Sequence, residues 1–72
     1  MSAGVPELGA AIRRLRIERG WTLADLAFRA GMSVASLSEV ERGVKDTSLA
    51  KLRAIAGAFG MAHSELWREA GL

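Results

Sequence analysis

Gly20, Gly31, Gly43 and Gly60 each follow a run whose apolar residues recur at helical spacing, and a glycine just past such a run is where a helix ends. The stretches they bound hold at most about four helical turns each. A chain cut this way must bury its apolar stripes by folding several short helices back on one another. Composition agrees: thirteen alanines and nine leucines stand against nine Val, Ile and Thr together, and the single proline, Pro6, precedes the first run. The pattern predicts an all-α chain of five helices. The first spans 7–19, with Leu8, Ala11, Ile12 and Leu15 inward and Arg13, Arg14 and Arg19 off the stripe. Thr22 caps the second, Asp25 suits its first turn, and Leu23, Leu26, Ala27 and Ala30 face inward. Ser33 caps the third, anchored by Leu37 and Val40. Thr47 or Ser48 opens the fourth, with Leu49, Leu52, Ile55, Ala56 and Phe59 inward. A last short helix holds Leu66 and Trp67 and starts weakly, because Ala62 stands where a capping side chain is expected.

At 72 residues the chain makes one small domain, expected over 7–72 behind a flexible arm of residues 1–6, with no room for a catalytic domain and a separate lobe. It has no cysteine, which removes disulfides and thiolate zinc sites. The first six residues carry no basic run or apolar core of a signal, and no eighteen apolar residues run together, so a cytoplasmic protein with no membrane partner is expected. Ten Lys+Arg against eight Asp+Glu leave +2, and charge alone does not announce nucleic acid. His63 is the only histidine, a surface residue with no second ligand for a metal. Ser33, Ser36 and Ser38 have no His or Lys placed to activate them, and no glycine-rich phosphate loop occurs. The sequence therefore indicates no enzyme, no cofactor and no small-molecule ligand.

Within this frame one spacing carries information. Ala27 lies four residues before Gly31, and Leu37 and Val40 lie six and nine beyond it. A small residue where helices cross, a turn glycine and two apolar anchors at these offsets describe a helix-turn-helix, with a plain helical hairpin as the alternative on these four residues alone. The run Ile12 Arg13 Arg14 Leu15 Arg16, then Gly20 Trp21 Thr22, Leu26 Ala27, Gly31, Leu37 Ser38 and Val40 Glu41 Arg42 Gly43 resembles the phage repressor and Cro (XRE-type) helix-turn-helix family. Leu52, Ile55 Ala56, Phe59 Gly60 and Glu65 Leu66 continue the pattern, so the resemblance covers nearly the whole chain. It implies a five-helix lambda-repressor-like DNA-binding domain, usually dimeric, with its third helix in the major groove. Single-domain chains of this length resemble restriction-modification controller proteins and small phage or plasmid repressors.

The departures from that pattern shape the expected site. Leu23 stands where the family commonly has a backbone-gripping Gln, and Thr47 where a loop proline is common. The groove-facing positions are Val34, Ala35 and Glu39 instead of amides or arginines. Val34 and Ala35 offer apolar contact to a thymine methyl, and Glu39 can accept from the cytosine amino group. Residues 33–46 sum to −1, so attraction to phosphate falls to flanking helices. Arg13, Arg14, Ser33, Ser36, Arg42, Lys45 and Lys51 are the expected phosphate contacts. Met61, Leu66 and Trp67 are the expected dimer contacts, Trp67 being unable to face the same way as Leu66. The resemblance also suggests an ion pair between Arg16 and Glu41, both bordering buried stripes, in which arginine compensates a carboxylate placed late in a helix. The expected partner is double-stranded DNA, bound by a homodimer that regulates transcription. The rival is an adaptor or antitoxin-like module that keeps the fold and turns Val34 and Ala35 toward a protein.

Overall fold

Five short helices need five starts that do not fray, and three of them find a side-chain oxygen at the right place. The computed structural model describes residues 5–44 and 47–71, with helices α1 (Pro6–Glu18), α2 (Leu23–Ala30), α3 (Val34–Arg42), α4 (Leu49–Ala58) and α5 (His63–Glu69) and no strand among those residues. Thr22 Oγ1 accepts from the Asp25 N–H at 3.0 Å while Asp25 Oδ2 accepts from the Thr22 N–H at 2.8 Å, a reciprocal cap that satisfies two orphan donors of α2. Ser33 Oγ accepts from the Ser36 N–H at 3.0 Å to open α3, and Ser48 rather than Thr47 opens α4, accepting from Lys51 N–H at 3.1 Å. At α5 the cap is one-sided: the Ala62 methyl cannot accept a hydrogen bond, and the Glu65 carboxylate reaches back to the Ala62 N–H at 2.9 Å.

The first helix corrects one boundary. Pro6, expected in the flexible arm, is the first residue of α1, where its missing N–H costs nothing because that group has no helical partner anyway. Residues 1–4 of the expected arm lie outside the described residues, as does Lys45.

Leu8, Ile12, Leu15, Leu26, Leu37, Val40, Leu52, Ile55, Phe59 and Leu66 form a single core with Ala27 and Ala56. Helix α1 packs on α3 and α5, α2 on α3 and α4, and α4 on α5, so α3 is backed by the first two helices. Leu49, expected inward, is 48% exposed: it is the first residue of α4, one turn ahead of Leu52, where the buried stripe begins. Leu23, Ala30 and Met61 are half-buried at the rim. Trp21 closes the core edge by stacking on Phe59, with ring centroids 5.7 Å apart and planes 4° from parallel, an offset arrangement that favours aromatic pairs. Arg29 covers the Trp21 ring at 4.2 Å and Arg19 the Phe59 ring at 4.7 Å, so two of the chain's cations are held against aromatic faces.

Candidate nucleic-acid interface

The turn between α2 and α3 is made by three residues. Gly31 takes φ 67°, a left-handed conformation that side-chain-bearing residues avoid, and its N–H joins that of Met32 in closing the end of α2 on Phe28 and Ala27 carbonyls. Ser33 then starts α3 at once. Leu37 and Val40 turn inward at 0% and 5% exposure, which leaves the first turn of α3 on the surface: Val34 is 46% exposed and Ala35 is exposed beside it. Glu39, one turn further along, is half-buried.

The last turn of α3 is fastened from behind. Arg16 donates to Glu41 through both Nε and Nη2, at 2.8 and 3.1 Å, and its Nη1 donates to the Trp21 carbonyl at 3.0 Å. The side chains are 13% and 7% exposed, so water competes little for either partner. The Glu41 hydrogen bonds push the Arg16 pKa above its ordinary value, so the guanidinium stays charged.

The expected phosphate contacts divide by what they already hold. Arg13 on α1 and Lys51 on α4 are exposed. Arg42 is exposed and donates through Nε to the Ser38 carbonyl of its own helix at 3.4 Å. Arg14 is engaged with Glu69 at 2.9 Å and Glu18 at 3.3 Å, and these bonds, Glu69 first, raise its pKa. Ser33 is occupied as an acceptor in the cap, and Ser36 is half-buried behind it.

The three expected dimer residues separate as well. Leu66 is fully buried in the core, so its side chain offers no surface to a second chain. Met61 and Trp67 are half-buried at the core rim and keep part of their surface outside.

Two features escaped the reading of the sequence. Phe28 lies off the inward stripe of α2 and is 87% exposed, as its place next to the buried Ala27 signals. Gly9, inside α1, is buried with the backbone of α3 against it, and a glycine within a helical pattern was the available signal. Among the described residues there is no cluster able to hold a metal ion, and no helix is long and apolar enough to cross a membrane.

The model of the helix-turn-helix family matches residues 12–66. An uncharacterized HTH-type transcriptional regulator of Mycobacterium tuberculosis strain H37Rv is 42% identical over 53 residues, which are 74% of this chain and 21% of that protein. The chain thus spans about a fifth of the length of this relative. Among solved structures, the clp gene regulator ClgR of Corynebacterium glutamicum is 38% identical with a TM-score of 0.83, over 92% of this chain and 70% of that one. The restriction-modification controller protein C.AhdI of Aeromonas hydrophila is 31% identical with a TM-score of 0.80, over 85% and 92%. SinR, the master regulator for biofilm formation, solved in complex with DNA, is 28% identical with a TM-score of 0.76, over 83% and 97%. These proteins are regulators rather than enzymes.

Proposed function

Because this chain belongs to the helix-turn-helix family, we propose that it is a sequence-specific DNA-binding regulator of transcription that acts as a homodimer on an operator, with α3 in the major groove. The observation that carries this reading is the first turn of α3: it is capped, outward-facing and backed by buried Leu37 and Val40. The similarity to SinR, which was solved with DNA, supports it. In this reading Val34, Ala35 and Glu39 meet base edges. Arg13 on α1 and Lys51 on α4 join Arg42 at the end of α3 in supplying phosphate attraction, with Lys45 and the Ser33 and Ser36 hydroxyls as further contacts. Arg14 joins them only by leaving Glu69, which makes it the weakest member of the set.

A dimer supplies what one domain with few phosphate-binding side chains lacks, a second half-site, and two-fold symmetry places the two α3 helices about 34 Å apart. Met61 and Trp67 are the proposed contacts, and Trp67→Ala should shift sedimentation toward the monomer at micromolar concentration. Strictly monomeric wild-type protein would remove this part.

Selection from a randomised duplex pool tests base reading. The wild type should enrich one motif, and Glu39→Gln should change the preferred base at one position per half-site. An unchanged motif would take Glu39 out of the reading set. The second reading, an adaptor that docks a protein on Val34 and Ala35, is favoured by the absence of any amide or guanidinium at those two positions; it predicts no enriched motif at all.

A further inference from the structure

Two described glycines lie inside helices, and they differ. A Cβ built on Gly57 of α4 meets nothing within 4 Å, whereas one built on Gly9 of α1 falls 2.3 Å from the Glu41 carbonyl oxygen and 2.5 Å from that of Val40. Gly9 is nonetheless a full member of α1, donating its N–H to the Val5 carbonyl at 3.1 Å. Glycine is a poor helix residue, so its use here is accounted for by the approach of the two backbones and not by the helix itself. The same turn of α3 is also close to the start of α1, where a Cβ on Gly43 would lie 2.6 Å from the Pro6 Cα. Two turns beyond Gly9 on α1, Arg16 takes the Glu41 carboxylate from the side.

We infer that Gly9 is a positioning residue for the DNA contact: it seats the last turn of α3 directly on the α1 backbone and so fixes how the first turn of α3 is presented. This rests on the DNA-binding reading above. A methyl group at position 9 forces the Glu41 carbonyl from 2.3 Å to at least 3.0 Å, and both obstacles are backbone, which no side-chain rotation can clear. Helix α3 is short and internally hydrogen-bonded, so it moves as a unit and carries Val34 and Ala35 with it. Base-edge contacts depend on that register, while attraction of Arg13 and Lys51, which lie outside α3, to phosphates does not. The substitution therefore separates specific from non-specific binding, which simple loss of stability does not do.

The test uses the full chain and two probes: a duplex selected by the wild type from a randomised pool, and a scrambled duplex of the same composition. Folded fraction is measured first by circular dichroism. Gly9→Ala should lose about tenfold or more on the selected duplex, the scale of a mismatched base pair, and stay within about twofold on the scrambled one. Gly57→Ala should leave both unchanged. Equal losses on both duplexes, or none, overturn the inference. If Gly9→Ala does not fold, it is repeated in the Gly57→Ala background, where the added methyl is unobstructed and improves helix propensity. Failure to fold there too overturns the inference, because Gly9 is then a requirement of the fold. A wild type that selects no duplex shows instead that the DNA-binding reading has failed, a result obtained without any variant.

Discussion

Arg14 and Arg16 stand two residues apart on α1, and each reaches a glutamate far along the chain, yet the two pairs do different things. Arg16 grips Glu41 with two donors, and the side chains are 13% and 7% exposed. Arg14 divides itself between Glu69 and Glu18, with Arg14 46% and Glu69 43% exposed. The first pair fastens α3 to α1 where water is excluded; the second leans α5 on α1 in open solvent. The same chemistry thus fixes α3, whose first turn faces outward, and only decorates α5.

The largest effect should come from breaking the buried pair. Removing one partner from a fully buried pair costs about 3–5 kcal/mol and from an exposed one at most about 1. With this residual exposure in so thin a domain, Arg16→Met or Glu41→Gln should cost about 2–3 kcal/mol in urea unfolding. The double variant should recover part of the loss, and a coupling near zero would show that the two side chains meet without holding α3.

A cap is a smaller device. Ser33→Ala leaves the Ser36 N–H without its acceptor at the start of α3 and should lower stability by about 1 kcal/mol, with DNA affinity falling alongside. An unchanged melting temperature would mean that water replaces the hydroxyl without loss.

Smaller still is the exposed pair. Arg14→Met should change stability little, and whatever change it makes should fade as salt is raised, since both partners are solvated and screened. A salt-independent loss comparable to that of Arg16→Met would erase the contrast between the two arginines.

The least effect concerns pH. The Thr22 backbone N–H, and after it the Thr22 hydroxyl, hold the Asp25 carboxyl below its ordinary pKa. A group depressed in the folded state contributes stability that is complete above its unfolded pKa of about 3.9 and is lost as pH falls through the lower folded value. Wild type and Asp25→Asn should therefore differ in melting temperature near neutrality and converge in acid. A difference that persists at low pH would assign the effect to something other than charge.

How much of this was legible in the sequence depended on the range of the forces involved. Stops at Gly31 and Gly43, the Thr22 cap with Asp25 in the turn after it, and the Ser33 cap are fixed within three or four residues, and local pattern suffices to read them; that Asp25 also bonds back to the Thr22 N–H was not read. Leu37 and Val40 were legible for the same reason, since helical period alone sets their direction. The expectation that Arg16 meets Glu41 came from family resemblance, because two residues twenty-five apart share no local signal. The role of Gly9 was missed: its lack of a side chain matters only once α3 has folded back against it. Leu66 and Trp67 show the limit of a short helix. Adjacent residues point about 100° apart, so one had to enter the core, and the neighbours decided that it was Leu66.

In the proposed function a nearly neutral chain sets cations of α1, α3 and α4 to act together on a duplex. The salt dependence of DNA affinity measures this directly. About three phosphate contacts per subunit, or about six per dimer, give a log-log slope of roughly −5 between low and physiological salt. Arg42→Ala should make that slope shallower and weaken all sequences about equally. A flat profile with no duplex preference would contradict the account and leave α3 a surface for protein.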